Sequence, residues 1–137
     1  MKTNEIFILC GGILSFVMVI FHCSFYKLFS WNDEFKNIRL ANHRIFFTIH
    51  IALILLILTF AIISFIYFQE LANCKGLACG LTVCYSVFWL WRAIWQIVYF
   101  KIPKNVTKVP PMHYITTIIF TVLFILYAMP VFSKLIN

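Results

Sequence analysis

The hydrophobic pattern of this 137-residue chain is four long apolar runs joined by short polar connections. The runs cover residues 6–29, 45–68, 78–100 and 114–132. Each is close to or above the ~20 residues a helix needs to cross a ~30 Å hydrocarbon core. None alternates apolar and polar residues at period two, so barrel strands give way to helices, which satisfy their own backbone polar groups. The pattern predicts a single all-α domain over residues 1–137, an integral membrane four-helix bundle of up-down topology. The first run is expected to be a span and not a cleaved leader, because it exceeds a signal h-region and no small-x-small site follows it. Cys10 also lacks the small residue before it that a lipoprotein signal requires.

The connections add local detail. In the first, Ser30 is suited to cap a helix, and Asp33 and Glu34 fall in the first turn that would follow, where acidic groups suit the positive helix end. Trp31, Phe35 and Ile38 recur at helical spacing, while Lys36 and Arg39 point elsewhere. This predicts a short interfacial helix between helices 1 and 2, its apolar side in the headgroup layer. Asn42 is the expected cap of the second span. The second connection, residues 69–77, is expected to be tight. Cys74 and Cys79 lie in it or just past it; they bridge if that side is oxidising and otherwise stay free thiols. Cys10, Cys23 and Cys84 sit in the spans as small apolar residues, and no cysteine spacing fits a zinc site. Pro103, Pro110 and Pro111 shape the third connection. Its Asn105-Val106-Thr107 matches a glycosylation sequon, which carries no meaning on a cytoplasmic loop or in a bacterium.

Composition agrees with the pattern. Hydrophobic residues make up 64% of the chain and charged residues 11%, against about 25% charged in a soluble domain. The net charge of +7 does not indicate nucleic acid, because the cations lie in loops and not on one soluble face. Lys27, Lys36, Arg39 and Arg44 occupy the first connection, and Lys101, Lys104 and Lys108 the third. Lys2, Lys75 and Lys134 lie on the opposite side. The positive-inside rule then places the first and third connections in the cytoplasm and both termini outside. The expected location is the cell (inner) membrane.

Polar residues inside the spans are the candidates for chemistry. Arg92 is the one charged residue well inside a span. It lies nine residues before Lys101, or about 13 Å from that end. At 100° per residue, Tyr85, Trp89, Arg92, Gln96 and Tyr99 fall within a stripe about 80° wide, with Trp91 and Trp95 off it, facing lipid or the headgroup layer. No span contains a carboxylate, so Arg92 requires carbonyls, water, Asp33 or Glu34 folding in, or an anion from outside the protein. His22 and His50 lie at similar depth on adjacent, antiparallel spans, with Tyr26 one turn from His22. His43 shares a face with His50, and His113 opens the fourth span on the same side. The common depth predicts a polar pocket in the cytoplasmic half lined by His22, Tyr26, His50, Tyr85, Trp89, Arg92, Gln96 and Tyr99.

One pattern resembles a group of small four-span bacterial inner-membrane proteins without an assigned activity. It runs from His22 to Phe100 and consists of His22 with Tyr26, Leu28-Phe29-Ser30-Trp31, Asn42 and Ile45 before His50, Glu70-Leu71, and Trp89-Leu90-Trp91-Arg92 with Gln96. The resemblance implies a membrane location and no mechanism.

No motif names a reaction. The leading expectation is a non-enzymatic accessory or lipid- or anion-binding protein without catalytic residues, metal or cofactor. Its expected partners are the bilayer, anionic headgroups, a larger membrane complex or further copies of itself, and no nucleic acid. One alternative is a b-type haem or other redox protein, with His22 and His50 on the iron and Arg92 near a propionate. Another is a small oligomeric anion transporter or channel past Arg92. An enzyme acting on lipid headgroups is a further possibility, with only the histidines to supply acid–base chemistry.

Overall fold

The computed structural model describes residues 1–100 and 111–136. Pro103, Pro110 and the Asn105-Val106-Thr107 sequon lie outside them. The described chain is helical, with no strand: α1 (Thr3–Cys23), α2 (Phe25–Leu28), α3 (Trp31–Glu34), α4 (Leu40–Ile66), α5 (Phe68–Asn73), α6 (Gly76–Val98) and α7 (Pro111–Ile136). The helices α1, α4, α6 and α7 are long and apolar enough to cross a membrane, as a small multi-pass membrane protein requires.

The helix ends depart from the apolar runs for local reasons. The run through residue 29 does not stay one helix. Helix α1 ends at Cys23, with Ser24 as its C-cap donating its hydroxyl to the Ile20 carbonyl at 3.0 Å, and α2 forms a separate turn. Ser30 takes the left-handed region (φ 48°) and its side chain does not cap α3. Where a short interfacial helix is expected, α3 is a single turn. Its Trp31 is buried against α4, 4.8 Å from both Phe46 and His50. Arg39, and not Asn42, is the N-cap of α4, so Asn42 lies inside the helix. In place of a tight loop, the second connection carries α5. At its end Cys74 and Gly76 adopt left-handed backbone (φ 46° and 52°). That conformation costs a non-glycine residue about 1–2 kcal/mol. The corner is fastened by a Cys74–Cys79 disulfide, and Thr82 Oγ1 donates to the Leu71 and Ala78 carbonyls. Pro111 opens α7, where its missing N–H costs nothing.

The bundle centres on α1, which packs against α4, α5 and α7, while α6 packs against α7. Helices α1 and α4 are antiparallel, with His22 beside His50 and Gly12 beside Phe65. Helices α6 and α7 are likewise antiparallel: Gln96 meets His113 and Tyr85 meets Tyr127. Two glycines bring α1 close to its neighbours. A Cβ on Gly11 would lie 2.9 Å from the Tyr127 ring, and one on Gly12 2.9 Å from Ser64 Cβ. Small residues permit this close approach where lipid offers no hydrophobic drive for helix association. Beside them the buried Tyr127 hydroxyl bonds Ser64 Oγ at 2.9 Å and Ser15 Oγ at 3.3 Å, joining α1, α4 and α7. Rings, not close backbone packing, bridge α4 to α6: Phe60 stacks on Tyr85 at 4.0 Å and meets Phe88 edge-on at 5.2 Å.

Candidate functional site

The eight polar-pocket residues fall into separate neighbourhoods. The first lies where α1 and α4 meet the loop that joins them. His22 is 4% exposed, and its Nδ1–H donates to the Met18 carbonyl at 2.9 Å. His50 Nε2–H donates to the His22 carbonyl at 3.1 Å. Carbonyls only accept, so these contacts assign both protons and leave the other nitrogen of each ring as an acceptor when the ring is neutral. The two imidazoles lie nearly parallel, 5.8 Å apart, and Phe25 stacks on both at 4.6 and 5.5 Å. Two imidazoles that clamp one haem iron aim nitrogens at it from opposite sides of the porphyrin. Stacked faces with Phe25 against them do not fit that group. Tyr26 lies further out, edge-on to Phe47. No group of three His, Cys, Asp or Glu residues able to hold a metal occurs among the described residues.

A groove of about 300 Å³ adjoins this cluster, lined by Phe35, Ile38, Asn42, His43 and Phe46. It lies at the loop and not in the bundle interior.

The second neighbourhood is on α6. Tyr85 and Trp89 are 2% and 1% exposed and belong to the core, stacked on Phe60 and Phe120 respectively. Their side-chain donors, the Tyr85 hydroxyl and Trp89 Nε1–H, have no hydrogen-bond partner among the described residues. Each such buried donor costs about 1–3 kcal/mol. One turn on, the half-buried Arg92 guanidinium stands 4.9 Å from the centre of the Phe120 ring and 5.7 Å from that of Trp91. No hydrogen bond or ion pair to it is found among the described residues; the ion pair found there is Lys36–Asp33, at the surface. Gln96 Nε2–H donates to His113 Nδ1 at 3.3 Å. Tyr99 leaves the stripe; it is 67% exposed and stacks on Trp95 at 4.9 Å.

Sequence reasoning missed the Ser15–Ser64–Tyr127 bonds and the inward face of α6 formed by Thr82, Ser86 and Ala93, all buried. The 82, 86, 89, 93 spacing was the available signal for that face; nothing in the spacing paired the two serines with Tyr127. Compared with known proteins, the chain matches no family model, no curated protein and no solved structure, and its chemistry is read from its own residues.

Proposed function

We propose that this is a multi-pass protein of the inner membrane that binds an oxyanion at Arg92 and does not catalyse a reaction. The observation that carries the reading is a guanidinium held within a span, beside two aromatic rings, with no carboxylate paired to it among the described residues. A buried cation without a counter-charge is costly. The guanidinium presents five N–H donors in a fork that matches phosphate or carboxylate.

In this reading the helices cross in an up-down order, with the α1–α4 and α6–α7 connections cytoplasmic and both termini outside. Two independent features support the orientation. Seven loop cations lie on one side against three on the other. The Cys74–Cys79 bridge lies on the side with fewer cations, and disulfides persist in oxidising compartments. Single cysteines are placed at Lys36 and Lys134 in chains otherwise stripped of free thiols. A membrane-impermeant maleimide added to intact cells is expected to label position 134 and spare position 36. The reverse pattern would invert the topology.

The binding test uses native mass spectrometry of detergent-purified protein with phosphatidylglycerol and, separately, inorganic phosphate. The wild type is expected to retain at least one of the two ligands. Arg92→Gln is expected to weaken that adduct about tenfold or more, the scale of a lost charge-assisted hydrogen bond. Equal retention by both proteins would refute the site.

A further inference from the structure

Arg92 is placed at the border of core and lipid. One ring beneath its guanidinium, Phe120, is buried at 2% exposure, whereas the other, Trp91, is 48% exposed. From Trp91 an aromatic ladder runs along the outside of α6 to the loop end. Trp91 lies 5.9 Å from Trp95, and Trp95 stacks on Tyr99 at 4.9 Å with the planes 12° apart. Trp95 is 38% exposed. The ladder rises about 12 Å over its eight residues, covering the depth between Arg92 and the membrane surface. Tryptophan and tyrosine prefer the headgroup layer, where an apolar ring and a polar N–H or O–H are both accommodated. Three of them descending into a span form a route on which a polar headgroup is in contact with donors at every turn. Polar groups at such depth are met by local thinning of the bilayer and by water.

From this geometry we infer that the Arg92 ligand is an acidic glycerophospholipid entering sideways from the cytoplasmic leaflet, its headgroup led down the Trp91–Trp95–Tyr99 ladder until its phosphate meets the guanidinium. The inference rests on the oxyanion reading of Arg92 and adds both the ligand class and the direction of entry. Charge complementarity selects this occupant: the ladder ends at a lone cation, so a zwitterionic or neutral lipid gains less there than an acidic one. The side of entry excludes a small solute arriving from water, since Trp91 faces lipid and Phe120 closes the inner side.

The test measures binding of phosphatidylglycerol, phosphatidylcholine and water-soluble glycerol phosphate to the intact purified protein, to Arg92→Gln and to the double variant Trp95→Leu, Tyr99→Leu. Because both ladder residues are exposed, the double variant is expected to fold, and its melting temperature is checked against the wild type. The expected result is selective binding of phosphatidylglycerol, weakened about tenfold in the double variant and lost in Arg92→Gln, with no displacement by glycerol phosphate. If the double variant binds phosphatidylglycerol like the wild type, or if glycerol phosphate displaces it, lateral entry along the ladder is overturned while Arg92 stands as an anion site. If Arg92→Gln binds every ligand unchanged, both readings fall. A double variant that fails to fold is replaced by Trp95→Ala alone, read by the same criteria.

Discussion

Trp89→Ala is expected to be the most damaging single change in the bundle. Trp89 is 1% exposed and touches Phe60, Phe88 and Phe120, so it fills the space where α6 meets both α4 and α7. Truncation removes roughly 140 Å³ of side chain, and at about 24 cal/mol per Å³ of residual cavity the loss is about 3 kcal/mol. The transfer term is smaller than in a soluble protein, because lipid tails are as apolar as the site the indole leaves. An apparent melting temperature about 10 °C lower follows for a chain of this size, read by light scattering in detergent. Tyr85→Phe, one turn away, carries the opposite expectation. Its hydroxyl is buried without a partner among the described residues, so removing it deletes a desolvated donor and leaves the stacking on Phe60 in place. The variant is expected to melt at or above the wild-type temperature. A loss comparable to that of Trp89→Ala would mean that the hydroxyl has an acceptor in the membrane.

Gly12→Val is the second large effect. Its added atoms meet Ser64 Cβ and the Phe65 ring, the nearest at 2.9 Å, so α1 must move away from α4. Overpacking costs about 1–3 kcal/mol. The same movement pulls Ser64 from the Tyr127 hydroxyl, adding about 0.6 kcal/mol, the average interhelical hydrogen bond in a membrane. Gly80→Val is the matched control, since nothing lies within 4 Å of a Cβ built there. The expected result is a clear drop in melting temperature for position 12 and little change for position 80. Equal behaviour of the two would mean that α1 and α4 are not in close contact.

What was legible in the sequence follows from what apolarity encodes. Long runs free of charge report the existence of spans, and a single buried cation stands out against them, so the four long helices and Arg92 were readable. Ends were less so, because hydropathy continues through Phe29 although Ser24 turns the chain. That His22 and His50 come side by side was readable from their similar distances to the loop that joins their helices. The ring stacking and the two carbonyl acceptors depend on rotamers and neighbours that spacing does not carry. The Ser15–Ser64–Tyr127 bonds were illegible for a related reason: a hydroxyl within an apolar span looks the same whether it bonds its own helix or another one. Tyr99 shows the limit of the helical-wheel argument, since a shared angle says nothing about whether the partner helix is still alongside at the last turn.

The three-hydroxyl knot has a consequence for biosynthesis. Its middle member, Tyr127, belongs to α7, which is synthesised after the two long helices, α1 and α4, that carry the serines. Until α7 arrives, the hydroxyl that joins Ser15 to Ser64 is missing. Helix α7 therefore acts as a latch of the assembly: a nascent chain released before α7 is complete holds its membrane helices without the bond that joins three of them. Such a chain is the form that membrane quality control is expected to meet and remove.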